Sequence, residues 1–341
     1  MTHRFSEIDY TKGMLVMSMV FGHVITFLDN GQSSLLNQAQ TIINLVSFSG
    51  FLFCFGFVHW IAYLQKPHIP WMAVLRTSLK CYLAFVVSGF AGRVLVSGKP
   101  AGWDLLIRLG ALRDIPESSE YLLPFALLSI LGAAFEPVIE MSTRNGRNLM
   151  ISTFAFLIST FLPHNAVYDP FVGLFIGGQG FYFFPIIQYL PLFLLGAYLA
   201  RWNYQYSVAA AGAATTFIAV IAIVAGLQIA NIPISRFPPS AFWIYCSATL
   251  VYLFYGLGRL VSANFVPNII RYYLNAVGQN ALYYLLLSNL ALFAAKALGK
   301  GEALRAWQTL VFYFALMATL FFIHYIVIDL ERANRAINRP A

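Results

Sequence analysis

Charged side chains are scarce in this sequence of 341 residues. Asp, Glu, Lys and Arg make up 10% of it, whereas hydrophobic residues make up 60%. A soluble domain carries about 25% charged residues. The composition therefore excludes an ordinary soluble globule and predicts an all-α, polytopic protein whose partner is the lipid bilayer.

Cysteine is also scarce, and several motifs of catalysis are missing. The three cysteines, Cys54, Cys81 and Cys246, all lie in apolar segments, which is typical of packing residues and not of a disulfide framework. The sequence has no HxxxH or HExxH pattern, no GxSxG motif and no Walker loop. We therefore expect no metal site and no soluble hydrolase or ATPase.

Apolar runs of about twenty residues divide the chain into ten predicted transmembrane helices. They cover residues 10–28, 40–64, 71–96, 121–139, 148–163, 182–200, 207–230, 240–261, 276–298 and 304–329. An even number of crossings puts both termini on one side. Of the Lys and Arg residues outside or near the ends of these helices, eleven lie on that side and seven on the other. This bias predicts cytoplasmic termini and the inner, cytoplasmic membrane.

The organisation between the helices is simple. No internal repeat or linker is present, so residues 1–341 form one predicted integral-membrane domain. The outer loop of residues 97–120 is long enough to form a short helix over the bundle, and Glu136 before Pro137 is placed to cap or kink the fourth helix. The basic residues form no stripe, so the net charge of +8 predicts no nucleic-acid partner.

His23 is an ionisable residue inside the first apolar run, where such a group is costly unless it faces a cavity or another helix. Lys12 precedes it by eleven residues and Asp9 by fourteen. At about 100° and 1.5 Å per residue, Lys12 and His23 share one helix face, about 16 Å apart. Asp9 is on the same face and can pair with Lys12. This pattern favours a functional His23; a structural histidine bonded to a neighbouring helix is the alternative.

Further candidates lie near helix ends. Arg76 and Lys80 are one turn apart at the start of the third helix, where two cations can hold a phosphorylated ligand or simply anchor the helix at the interface. Arg93 ends that helix, and Arg236 precedes a double proline before the eighth. We assign Arg93, Arg236 and the loop residue Asp169 to the binding of a second substrate; a solvated charge in a rigid loop is the alternative for Arg236.

The segment IDYTKG at residues 8–13, followed by His23, resembles the first helix of the acyltransferase 3 family of integral membrane acyltransferases. That family has a basic residue, usually Arg, and a His eleven positions later. Weaker similarities follow in the family's order at residues 48–57, 236–240 and 274–284. They extend along nearly the whole chain, as does a layout of roughly ten helices.

The resemblance implies transfer of an acyl group, acetyl or succinyl in class, from cytoplasmic acyl-CoA to a hydroxyl of an envelope carbohydrate or glycolipid. It implies that His23 is the catalytic residue. From the residues themselves, we expect His23 to act as general base and Asp9 to join the catalytic set by pairing with Lys12 or orienting it; an ordinary interfacial ion pair is the alternative for Asp9. Acyl-CoA is then the donor substrate, bound by Lys12, Arg76 and Lys80, and no metal is expected.

Three departures from the family pattern concern mainly the donor site. Lys12 replaces the usual Arg and loses its planar fork of donors. Arg76 and Lys80 are four residues apart, where the family has two arginines three apart. Residues 288–289 are Ser-Asn at a place where many members have a His.

Two other functions use the same polar residues. One is a transporter or flippase for a lipid or sugar, although no paired discontinuous helices are evident in the two halves of the chain. The other is a non-catalytic membrane assembly protein that keeps the helical bundle without a working donor site.

Overall fold

The chain is mainly helical in the part that the structure, a computed structural model, describes: residues 5–29, 33–117, 119–178, 184–226, 235–263, 265–299 and 303–337. These residues form fourteen α-helices and no β-strand, which confirms the all-α prediction. The helices are α1 (Ser6–Val24), α2 (Ser34–His59), α3 (Trp71–Leu95), α4 (Trp103–Gly110), α5 (Leu122–Ala134), α6 (Glu136–Thr143), α7 (Gly146–Ile158), α8 (Pro170–Ile176), α9 (Ile186–Arg201), α10 (Val208–Gly226), α11 (Ala241–Ser262), α12 (Asn268–Gln279), α13 (Ala281–Leu298) and α14 (Ala306–Ile337).

Six helical segments of the described chain are long and apolar enough to cross a membrane. They are Ser6–Asp29, Ser34–Leu64, Trp71–Leu95, Ala241–Ser262, Ala281–Leu298 and Ala306–Val327. The first two include a π-helical turn at their C-terminal end, at Ile25–Asp29 and Trp60–Leu64. The protein is thus a membrane-embedded helical bundle, whereas ten crossings stay a prediction.

The predicted fourth helix, residues 121–139, is not one straight crossing. It is divided at Phe135 into α5 and α6, which are inclined by 85° to each other. Pro137 lies in the first turn of α6, where its ring is tolerated but would obstruct a helix continuing from α5. The ninth predicted helix, residues 276–298, also contains a break, because Asn280 separates α12 from α13. The short helix expected over the bundle within residues 97–120 is present as α4.

The first helix lies inside the bundle and packs against α2, α11, α12 and α13. Its contact with α12 is a backbone contact: a Cβ added to Gly278 would lie 1.8 Å from the carbonyl oxygen of Asp9, and one added to Gly13 would lie 2.2 Å from that of Leu274. Only glycine fits at such a crossing, as is typical of close helix pairs in membranes. The crossing therefore holds α1 against α12 at the turn that contains Lys12.

The third helix has one face toward the surroundings. Leu75, Leu79, Leu83 and Val87 recur every four residues and are each about half exposed, at 47, 55, 52 and 48%. A continuous apolar stripe of this kind on a membrane helix is a surface for lipid. The opposite face of α3 packs against α5 and α13 and faces the interior of the bundle.

Candidate functional site

A cavity of about 460 Å³ lies at the C-terminal ends of α1 and α3. Residues of α1, its π turn, α2 and α3 line it, together with the segments that precede α5, α9 and α11. His23, Arg93, Glu120, Tyr121 and Arg236 are all on its wall. The structure therefore brings together three residues that the sequence singled out, His23, Arg93 and Arg236.

His23 is held on the cavity wall by Asn289 of α13. Its Nδ1 atom lies 2.8 Å from Oδ1 of Asn289. The amide nitrogen of Asn289, a fully buried residue, donates to Oγ of Ser88 at 3.3 Å and to Oη of Tyr121 at 3.1 Å. Because an amide oxygen only accepts, Nδ1 of His23 carries the proton and Nε2 keeps its lone pair. That tautomer has the form a general base requires.

The π turn that follows His23 also shapes the cavity. Thr26 and Phe27 belong to this turn and line the cavity beside His23. Oγ1 of Thr26 donates to the carbonyl of Gly22 at 2.9 Å and accepts from the amide of Gln40 at 2.5 Å. These bonds join the end of α1 to α2, so the wall that carries His23 is fixed by two helices. Turns of this kind are frequent at functional sites.

Arg93 is tied to the outer loop that follows α3. Its guanidinium binds Asp114 through two nitrogens, with Nε 3.0 Å from Oδ1, and Lys99 Nζ lies 2.9 Å from the other carboxylate oxygen. Burial raises the pKa of Asp114, but the hydrogen bonds and positive charges of Lys99 and Arg93 outweigh burial and hold it below its usual range. Two cations thus share one carboxylate at the edge of the cavity.

Arg236 has aromatic neighbours. Its guanidinium carbon lies 4.6 Å from the ring centre of Phe237 and 5.2 Å from that of Phe184, within the range of cation–π contacts. Its Nε atom is buried and makes no hydrogen bond to the described residues. No ion pair to Arg236 occurs within the described ranges. Arg236 therefore lies on the cavity wall without an ion-pair contact in the described chain, and Glu120 is the carboxyl group whose charge acts on it.

Glu120 is the buried carboxyl group of the cavity. It is 5% exposed, and its Oε2 atom has no hydrogen-bond partner in the described chain. Burial raises the pKa of Glu120 well above its usual range. Backbone hydrogen bonds and the positive charge of Arg236 act in the opposite direction but do not outweigh burial, so Glu120 holds a proton more readily than an exposed carboxyl group does.

Lys12 and Asp9 form the predicted pair, but not at the cavity. Lys12 Nζ lies 2.7 Å from the Asp9 carboxylate. Helix α1 is unbroken from Ser6 to Val24, so Lys12 and His23 keep the predicted separation of about 16 Å along its axis. Neither Lys12 nor Asp9 lines the cavity.

The other predicted site residues also lie away from the cavity wall. Arg76 and Lys80 are exposed on α3, beside the stripe formed by Leu75 and Leu79. Asp169 is exposed and caps α8, because its Oδ1 accepts from the backbone nitrogen of Val172 at 3.0 Å. The structure thus gives Asp169 a local structural role.

Sequence reasoning missed four residues of the site: Asn289, Ser88, Tyr121 and Glu120. Asn289 and Ser88 carry a readable signal, since each is a polar residue in the middle of a membrane helix, flanked on both sides by mainly apolar residues. Tyr121 and Glu120 carry none, because they stand next to a loop with several other polar residues.

Comparison of the chain with known protein families, characterised proteins and solved structures finds no match. Within the described ranges, no group of three or more His, Cys, Asp or Glu residues is arranged to hold a metal ion.

Proposed function

We propose that the chain is an O-acyltransferase of the acyltransferase 3 type, embedded in the inner cell membrane with both termini in the cytoplasm. It moves an acetyl- or succinyl-class group from cytoplasmic acyl-CoA to a hydroxyl of an envelope carbohydrate or glycolipid. The observation that carries the proposal is the hydrogen bond between His23 and Asn289, which presents a histidine in the form of a base on the wall of a cavity.

The reaction needs one base and one electrophile. Nε2 of His23 accepts the proton of the acceptor hydroxyl while that oxygen attacks the thioester carbonyl of acyl-CoA. As the new C–O bond forms, the C–S bond breaks, and the imidazolium returns the proton to the leaving thiolate. Asn289 accepts from Nδ1 throughout, so it stabilises the positive charge that His23 carries between these two steps.

The two substrates reach His23 from opposite ends of α1. The acceptor enters through the cavity beside Arg93 and Arg236. We place the donor's phosphates near Lys12, about 16 Å from His23 by helix rise. Because Lys12 does not line the cavity, the pantetheine arm has to reach His23 by a separate path along α1. Arg76 lies seventeen residues before Arg93 on α3, or about 26 Å, and therefore belongs with Lys80 to the donor's end.

The test is acyl transfer by purified protein in detergent, given labelled acetyl-CoA or succinyl-CoA and a total envelope glycan and lipid extract. We expect wild-type protein to label a component of the extract, and H23Q to lose about 100-fold or more of that rate. The matched control is H68Q, because His68 is exposed in the connection between α2 and α3. It should retain wild-type activity.

Three results would count against the proposal. Equal rates for H23Q and wild type would show that His23 is not catalytic. If no envelope fraction led to consumption of acyl-CoA, the protein would not be an acyltransferase. Movement of a glycolipid across proteoliposomes without acyl-CoA would identify a transporter instead.

A further inference from the structure

We propose that the cavity is built for a reactant that carries an anionic group, a carboxylate or a phosphate, which binds Arg236. The proposal rests on the proposed function, since the anion would belong to one of the two substrates of the His23 site. It adds the chemical class of that substrate.

Arg236 makes no ion-pair contact with a described residue, although the carboxyl group of Glu120 is near enough for its charge to act on Arg236. Its neighbours are the faces of Phe184 and Phe237, and its buried Nε makes no hydrogen bond. A buried charge or donor without a partner is costly, so a site that keeps one is suited to a ligand that supplies it. A carboxylate or phosphate matches the planar fork of a guanidinium, which binds such groups through two parallel hydrogen bonds.

The loop that carries Arg236 is held before any ligand arrives. Ser235 Oγ donates to the carbonyl of Pro238 at 2.7 Å. Ser240 accepts from the backbone nitrogens of Ser235 at 3.4 Å and Trp243 at 3.2 Å, so the loop is joined to the first turn of α11. The position of Arg236 is therefore set on folding, and little conformational entropy is lost on binding.

The other charged groups of the cavity region largely balance one another. Arg93 is already bound to Asp114, which Lys99 shares, so this cluster has one positive charge in excess, and the exposed carboxylate of Glu117 on the cavity wall offsets it. Burial raises the pKa of Glu120, and in its neutral form this group donates a hydrogen bond instead of repelling an anion. Both Arg236 and Glu120 then present donors to the same space.

The anion has two chemical sources in an acyl transfer. It belongs to the acceptor if that is an acidic sugar or a phosphorylated glycolipid, and to the acyl group if that is a succinyl chain with a free carboxylate. Either source brings a negative charge into the cavity that His23 and Arg236 both line.

Binding of small probes to purified protein in detergent tests this proposal without any acyl transfer. The probes are D-glucuronate, D-glucose 6-phosphate and succinate, with D-glucose as the neutral reference. At least one anion should bind wild type about tenfold or more tightly than glucose, a difference of about 1.4 kcal/mol. The preference should disappear in R236Q and persist in R108Q, because Arg108 is a cation of α4 exposed in a pair with Asp104.

The choice of probes distinguishes the two sources of the anion, the acceptor and the acyl group. Preference for glucuronate or glucose 6-phosphate indicates the acceptor, and preference for succinate indicates the acyl group. No preference for any anion, no measurable binding of any anion, or an equal loss in R108Q would overturn the proposal. If H23Q abolishes acyl transfer while neutral and anionic sugars bind alike, the acyltransferase stands and the anion site falls. If anion binding depends on Arg236 but no acyl transfer occurs, the anion site stands and the acyltransferase proposal fails.

Discussion

Nδ1 of His23 and Oδ1 of Asn289 lie 2.8 Å apart although 266 residues separate them in the chain. The bond joins α1 to α13, and the same amide reaches Ser88 on α3 and Tyr121 at the start of α5. One buried side chain thus holds four segments of the bundle together at the point where the cavity meets His23.

The role of Asn289 can be separated from its contribution to stability. We expect N289A to lower the acyl-transfer rate constant by about tenfold or more, because His23 loses the acceptor that fixes its tautomer. It should also lower the free energy of unfolding by about 1–3 kcal/mol, since buried hydroxyls lose their partner. N289D keeps an oxygen acceptor and should recover most of the rate. Steady-state kinetics and thermal unfolding measure the two effects, and an N289D variant as slow as N289A would argue for a purely structural residue.

The crossing of α1 and α12 gives a prediction about stability alone. G278A places a Cβ against the Asp9 carbonyl and should destabilise the protein by about 1–3 kcal/mol through overpacking. The control is G212A in α10, where nothing lies within 4 Å of the added Cβ. It should be neutral or stabilise by about 0.5–1 kcal/mol, as alanine does in a helix. Thermal unfolding in one detergent compares them, and equal melting temperatures would show that α12 moves away freely.

The Asp114 cluster should make stability depend on pH. Since the folded state lowers the pKa of Asp114 below its ordinary value of 3.8, the ionised carboxylate contributes stability above that value. The contribution is lost as the pH falls through the lowered folded pKa. Wild type should therefore have a higher melting temperature than D114N near neutral pH, and this difference should shrink as the pH falls below 3.8. D104N is the control, because the Asp104–Arg108 pair is largely exposed and should contribute little. A gap that stays constant with pH would contradict the ionic explanation.

The donor's end can be tested through the Michaelis constant for acyl-CoA. Lys12 lies within the bundle on α1, whereas Arg76 and Lys80 are exposed beside a lipid-facing stripe. We expect K12M to raise this constant by about tenfold with little change in turnover, and K12R to restore it. The double variant R76Q/K80Q should have a smaller effect. A larger effect from the double variant would move the donor's phosphates to the start of α3.

Sequence reasoning predicted what depends on local pattern. The apolar run predicted the helix that carries His23, and Pro137 predicted the bend at the end of α5. The pair Asp9 and Lys12 followed from their spacing of three residues.

Contacts between distant segments were not predictable in this way. Asn289 was noticed only as a departure from a pattern, because nothing local shows that its amide faces His23. Arg93 and Asp114 were both noted, yet the loop between them had to fold before they could pair. Arg76 and Lys80 share a face by their spacing, but which face of α3 is turned outward depends on its packing against α5 and α13.

The order in which the site's parts appear in the chain has a consequence for biosynthesis. His23 belongs to the first helix and its partner Asn289 to the thirteenth. The backbone nitrogen of Leu304, just before α14, donates to the carbonyl of Leu28 at 2.7 Å. A nascent chain that has inserted only its first ten helices therefore holds His23 without its partner amide. His23 on α1 stays without this hydrogen bond in the membrane until α13 has been inserted. An insertion chaperone or a protease that acts before then would encounter an incomplete site.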